Sequence, residues 1–264
     1  MRKIIFELIL SLALLLGAWA LLSQVDWMRV LKIEQTTKNT EEKIGDLFWD
    51  LLSKTENEVT STSVVGPIDS MLSIICTKNN IDRERIKFHL LRKDEINAFA
   101  LPNHHLVIYS GLIAACESEA ELYGVICHEM AHLEKGHVMN KLVKEIGLSV
   151  LISMSTGNGN SQVIKEALKL LSSSAYDRSL ETEADLAAVD YMVKAGIDPE
   201  PFANFLYRLS NQTNHLPRQI YWISTHPESK ERAEKVIEHI GKSGFSKGEK
   251  GDSLRFEGLK ERVK

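Results

Sequence analysis

Cysteine is scarce in this chain, and its three copies, Cys76, Cys116 and Cys127, lie far apart. They are too few and too scattered for a disulfide framework or a C-x-x-C zinc knuckle, and they read as small buried hydrophobes. An excess of positive charge is missing too. Net charge is −4, and Lys, Arg, Asp and Glu are interspersed throughout, so no basic stripe exists to follow a phosphate backbone, and nucleic acid is not expected as a partner. Beyond the first 25 or so residues no apolar run is long enough to cross a bilayer. The one later candidate, "LSVLISMSTGNGN", holds about ten such residues before its Gly/Asn turn and reads as a hairpin, a flap or the end of a buried helix. No internal repeat is visible.

What is present is an ordinary globular composition, 44% hydrophobic and 26% charged. Set apart from it is residues 1–25, in which Arg2 and Lys3 precede a stretch that is apolar from Leu8 to Leu22 apart from Ser11. Such a segment enters the membrane and, by the positive-inside rule, leaves its N-terminus in the cytoplasm and exports the rest. "AWA" at Ala18–Ala20 also permits signal-peptidase cleavage, so both an anchor and a removed signal remain open. Residues 26–65 read as a juxtamembrane or linker segment carrying one helix, whose apolar positions Ile44, Leu47, Phe48, Leu51 and Leu52 follow the helical period; a helix packed on the domain is the favoured reading and a juxtamembrane arm the other. Residues 66–241 form the main domain, and residues 242–264 a charged, polar and mobile tail.

Within the main domain, Gly66-Pro67 punctuates the chain and a helix follows to Asn79-Asn80. Short β-like pieces come next, at Arg85–Leu91, Asn97–Leu101 and His105–Gly111, which together predict a small sheet. After Gly111 a helical period persists through "GVICHEMAHLEKGH". The remainder is helix-rich, so the expected fold class is α+β.

Nine histidines serve the whole chain, yet His128, His132 and His137 fall within ten residues. His128 and His132 are four apart and share one helix face, so both imidazoles can hold one ion. Glu129 stands about 100° around the helix, where its carboxylate reaches a water without binding the metal. By the same count His137 lies about 180° from His128 and is expected to be exposed. A catalytic zinc needs a third protein ligand. The metzincin positions three and six residues after His132 hold Lys135 and Val138, which cannot supply it. "RSLETEAD" supplies carboxylates instead: Glu181 and Asp185 share a face, and Glu183 points about 200° from Glu181. Glu181 is therefore the expected ligand, with Asp185 fixing the tautomer of a ligand imidazole. Cys127 is turned aside from the metal by one residue's rotation.

"HEMAHLEKGH", "DRSLETEAD" and "THPESKER", in that order, resemble zinc metallopeptidases of the HtpX, BepA and CAAX-prenyl-protease kind, metallopeptidase family forty-eight. The resemblance runs from about Ile68 to Glu238 and implies a helix-rich zincin of the gluzincin type, with the small sheet beside the active-site helix and one Zn2+ per chain. "NAFALPNHHLVIYSGLI" is similar to the family's segment before that helix. It implies that Asn97, Ala98 and Phe99 lie on an edge strand to which an extended substrate adds. Asn103 and His104 replace a Gly-Gly pair there. The resemblance also implies that His226 stabilises the oxyanion or covers the metal, and that Arg178 and Arg232 support the ligands. The implied activity is peptide hydrolysis with Glu129 as general base, on unfolded or misassembled envelope proteins, from an inner-membrane-anchored or released periplasmic chain. The alternative is a chaperone-like assembly factor whose zinc is masked by His226.

Overall fold

The computed structural model describes residues 33–212, 222, 225–227, 229–245 and 253–263. The hydrophobic segment expected to enter the membrane lies outside these residues. Among those described, no helix is long and apolar enough to cross a membrane. The chain divides into two compact units, residues 1–40 and 41–264. Of the first only the start of α1 is described, and the architecture below belongs to the second.

Helix α1 (Ile33–Ser53) is followed by α2 (Thr62–Asn79), a 3₁₀ turn at Arg83–Arg85 and three strands, β1 (Lys87–Leu91), β2 (Ala98–Leu101) and β3 (His105–Tyr109). From Glu41 onward α1 belongs to the second unit, and Ile44 and Phe48 are fully buried in its core, so the helix is packed on the domain. Helix α2 begins at Thr62 and runs through Gly66-Pro67, because a proline this early costs it a bond near its start rather than its length.

The sheet has the order β1-β3-β2, with β1 parallel and β2 antiparallel to β3. The β2–β3 turn places Asn103 (φ 59°) and His104 (φ 58°) in the left-handed region, as the Gly-Gly pair of the resembled family would be free to do. Asn103 is held there by its amide, which donates to Asp46 Oδ1 at 2.9 Å.

Helix α3 (Ser110–Ala115) leads into α4 (Glu119–Glu134), the element on which the rest is assembled. Ser118 caps it by accepting from Glu121 N at 3.2 Å, and Glu121 in turn accepts from Glu117 N at 2.8 Å and from both Arg208 amines at 2.7 Å. Every residue from Glu121 to Leu133 is buried, polar ones included. Such a helix needs partners on all sides. It packs on β2, on α8 (Arg178–Lys194) and on α9 (Glu200–Gln212), and a Cβ at Gly124 would stand 2.4 Å from Phe202 Cβ. That close approach is what seats α9 against the active-site helix.

The helical period after Gly111 does not stay in one helix. Gly136 adopts φ 69°, α4 stops at Glu134, and α5 (His137–Ile146) sets off in a new direction. Helices α6 (Leu148–Ser155) and α7 (Ser161–Ser173) follow, so the apolar run is a short helix, and α7 packs against β2. Helix α10 (Ser229–Ser243) packs on α8 and α9. The expected polar tail contains α11 (Ser253–Val263), which buries Phe256, Leu259 and Val263 and packs on α3 and α2. Its apolar residues are interleaved with charged ones, which hid the stripe from a compositional reading.

Candidate active site

His128 stands past the middle of α4 and His132 in its last turn, and Glu181 and Asp185 stand near the start of α8, so the packing of those two helices brings two imidazoles and two carboxylates together. A short segment after α9 adds Trp222 and His226. His128 Nε2 lies 3.1 Å from His132 Nε2 and 3.1 Å from His226 Nδ1. Glu181 Oε1 lies 2.9 Å from His226 Nδ1 and 3.4 Å from His132 Nε2. One donor atom from each of these four residues falls within 4.8 Å of the others, and all four residues are buried.

Their spacing tests the fit to a metal. With Zn–N near 2.0–2.1 Å, neighbouring donors of a tetrahedron stand roughly 3.3 Å apart. The separations among these four bracket that value, and the mixture of imidazole and carboxylate is a zinc-type donor set. The site fits.

Supporting contacts set the ring orientations. Asp185 Oδ1 lies 3.0 Å from His128 Nδ1, a separation at which the carboxylate favours the tautomer with its proton on Nδ1 and its lone pair on Nε2. Arg232 locks the carboxylates from behind: Nε and Nη2 donate to Asp185 at 2.7 Å each, and Nη1 lies 2.8 Å from Glu181 Oε2 and donates to the His226 carbonyl at 2.9 Å. Arg178, expected to support the ligands as well, is exposed at the start of α8, close enough to Glu231 to help lower its carboxyl. Glu183 is exposed and bonds to Lys135 at 2.9 Å, off the site as its helical angle predicts. Cys127 is buried with a thiol that burial pushes above its ordinary range, away from the donor set.

The charges follow from this packing. Burial raises the Glu181 carboxyl, but the His226 and Arg232 charges outweigh it and hold it well below the usual carboxylate range. Burial likewise raises Glu129, and His226 reverses the shift. For His226 burial works downward, yet Glu181 and Glu129 on either side lift it to about 9. His132, by contrast, is pushed by burial down to about 4. A neutral His132 presents a lone pair, as a ligand must.

Glu129 stands beside the donor set and outside it. Its Oε1 accepts from Trp222 Nε1 at 3.1 Å and lies 3.2 Å from His226 Nε2, while its Oε2 is buried with no hydrogen-bond partner. A buried carboxylate oxygen without a donor is costly unless something arrives to use it.

His137 corrects the sequence reading. It is 2% exposed, with Nδ1 3.1 Å from His132 Nδ1, because the left-handed turn at Gly136 ends the helical count and folds the ring back behind His132. Trp222 was not singled out, although it stands four residues before His226, and the His226 N–H donates to its carbonyl at 2.8 Å. That one-turn spacing was the available signal. Asn97, Ala98 and Phe99 are buried beside β3, and Asn97 Nδ2 donates to Ser172 O at the end of α7 at 3.2 Å.

Four buried donors around one point, with a carboxylate alongside that holds an unused oxygen, form an arrangement that could hold a metal ion beside a proton acceptor. Residues 66–240 match the family described as Peptidase family M48, and the chain belongs to that family. The chain is similar to the beta-barrel assembly-enhancing protease of Yersinia pestis, 24% identical over 199 residues covering 71% of this chain and 41% of that protein. It is also similar to the mitochondrial metalloendopeptidase OMA1 of Schizosaccharomyces pombe, 25% identical over 175 residues covering 66% and 52%. The metalloprotease LoiP of Escherichia coli is 28% identical over 201 residues covering 71% and 78%. The chain thus spans about half, or less, of the length of the first two.

Proposed function

We infer that this chain is a zinc-dependent endopeptidase in which His128, His132 and Glu181 hold one zinc ion and Glu129 is the general base. The observation that carries this is the pairing of a zinc-type donor set with the unpartnered Glu129 Oε2 beside it. Bound zinc supplies Lewis acidity, which makes a water acidic and polarises a scissile carbonyl. Glu129 takes the proton of the attacking water and returns it to the leaving amine as the C–N bond breaks. Asp185 and Arg232 keep the His128 ring and the Glu181 carboxylate in register throughout. Strand β2 is an edge of the sheet, and an extended polypeptide laid along Asn97, Ala98 and Phe99 would continue it. Helix α7 lies against that edge, tied through the Asn97–Ser172 bond, and has to shift for a peptide to add. The resemblance and the similarity to a beta-barrel assembly-enhancing protease favour envelope proteins as substrates. Arg2 and Lys3 before the N-terminal apolar run favour an exported chain, membrane-anchored or released to the periplasm.

The purified chain is expected to contain about one zinc and to degrade β-casein, to lose both zinc and activity to a chelator, and to recover both when zinc returns. Casein left intact by zinc-loaded protein would rule this reading out.

A second reading has its own support. His226 sits among the ligands, and His128, Glu129, His132, Glu181 and His226 are each no more than 1% exposed, so a substrate cannot reach the centre in this arrangement. A protein resting in this state holds chains more than it cuts them. Under that reading His226→Ala raises casein turnover about tenfold in steady-state assays, whereas an unchanged or reduced rate shows that His226 does not mask the site.

A further inference from the structure

Tyr176, just before α8, is 6% exposed, and its hydroxyl is buried without a hydrogen-bond partner. The ring is accounted for by its packing. It lies against the His132 imidazole with centroids 4.2 Å apart and a tilt of 31°, and Lys141 Nζ sits 4.0 Å from its centroid. Its backbone N–H donates to Thr225 O at 3.2 Å, which joins it to the segment bearing His226. All of these contacts would be made equally well by phenylalanine. The hydroxyl is the unexplained atom, since a buried phenol with no partner has lost its water without gaining a hydrogen bond in exchange.

Among the unpartnered buried atoms at this site are an acceptor, Glu129 Oε2, and a donor, the hydroxyl of Tyr176, whose ring lies against the His132 imidazole; His128 Nδ1, Glu181 Oε2 and His226 Nε2 are the others. Peptide hydrolysis by an activated water asks for that pair, an acceptor for the water's proton and a donor for the oxyanion. His226 Nε2 is also without a hydrogen-bond partner, but it faces the Glu129 carboxylate at 3.2 Å while Nδ1 faces Glu181 at 2.9 Å, so both ring nitrogens point at carboxylates rather than at open donor positions. We propose that the Tyr176 hydroxyl is a catalytic hydrogen-bond donor to the oxyanion of the tetrahedral intermediate, an assignment that rests on the endopeptidase reading.

As the water oxygen bonds to the carbonyl carbon, the carbonyl electron pair moves onto oxygen and the phenol donates a hydrogen bond to it without giving up its proton. Collapse re-forms the carbonyl and breaks the C–N bond, with Glu129 delivering the water's proton to the amine.

The test compares wild type, Tyr176→Phe and Glu129→Gln on a fluorogenic peptide taken from a casein cleavage site, and on the phosphinic analogue of that peptide, which mimics the tetrahedral state. For Tyr176→Phe the expected result is kcat lower by about 10²-fold with KM within about twofold of wild type. The phosphinic peptide should bind about 10²-fold more weakly, with zinc content and melting temperature unchanged. A variant that cleaves at the wild-type rate overturns the inference. So does one that loses zinc or weakens substrate and analogue equally, since the hydroxyl would then act through the donor set or the packing. A zinc-loaded wild type that does not cleave the peptide overturns the endopeptidase reading itself, and this inference with it.

Discussion

Glu129→Gln is expected to fold like the wild type, to hold about one zinc per chain, and to cleave β-casein about 10³-fold more slowly. The carboxamide has nearly the shape of the carboxylate, and its oxygen still accepts from Trp222 Nε1 where Glu129 Oε1 does at 3.1 Å. What changes is the other oxygen, buried and unpartnered, which becomes an NH₂ that cannot take a proton. Because that oxygen is outside the four-residue donor set, zinc content is the control that separates a lost base from a lost metal. A zinc-loaded variant within tenfold of wild type would remove Glu129 from the mechanism. Loss of zinc would instead make Glu129 part of the metal site, contrary to its geometry.

The residues that were legible in the sequence are those whose relation is set by one uninterrupted helix. His128 and His132, and likewise Glu181 and Asp185, keep their four-residue spacing inside α4 and α8, so a shared face could be read from numbering alone. Once two such pairs are known, the docking of their helices is all that remains to build the site. Legibility failed where a backbone dihedral or a long-range contact decides the outcome. His137 lies five residues beyond His132, but the positive φ of Gly136 makes that count meaningless and turns an expected surface residue into a buried neighbour. Tyr176 belongs to a connecting segment, whose side chains have no periodicity to betray them, and Trp222 is tied to the site only by its one-turn spacing from His226. Helix α11 was assigned to a tail because it mixes its few core residues, Phe256 among them, into a strongly charged stretch, whereas the helical period of Ile44 to Leu52 made α1 legible as a helix. The N-terminal segment raises a different question, since its apolar run was read plainly but falls outside the described residues.

Removing Arg232 should destabilise the metal-free protein by about 3–5 kcal/mol at pH 7, a larger effect than any surface substitution would have. The guanidinium is 3% exposed and donates to both oxygens of Asp185 at 2.7 Å, with Glu181 Oε2 2.8 Å from Nη1. Arg232→Met keeps much of the volume and leaves two carboxylates buried without their cation. Arg232→Lys restores the charge but not the fork, so it should recover only part of the loss. The pH dependence follows from the sign of the shift. Burial raises the Asp185 carboxyl and the Arg232 charge outweighs it, so the folded value lies below that of the unfolded chain. The stability that this group contributes is present above the ordinary Asp pKa of about 3.9 and is lost as pH falls through the folded value. Without Arg232, burial dominates, and the folded pKa moves above the unfolded one. The variant then takes up its proton in the folded state first and gains relative stability as pH is lowered. The gap between wild type and Arg232→Met, measured by urea unfolding in chelator, should therefore narrow from pH 7 to pH 5. A gap below about 1 kcal/mol at pH 7, or one that widens on acidification, would mean that Asp185 and Glu181 do not depend on Arg232 for their charge. The bracing of the active-site carboxylates would then have to be sought elsewhere in the α8–α10 interface.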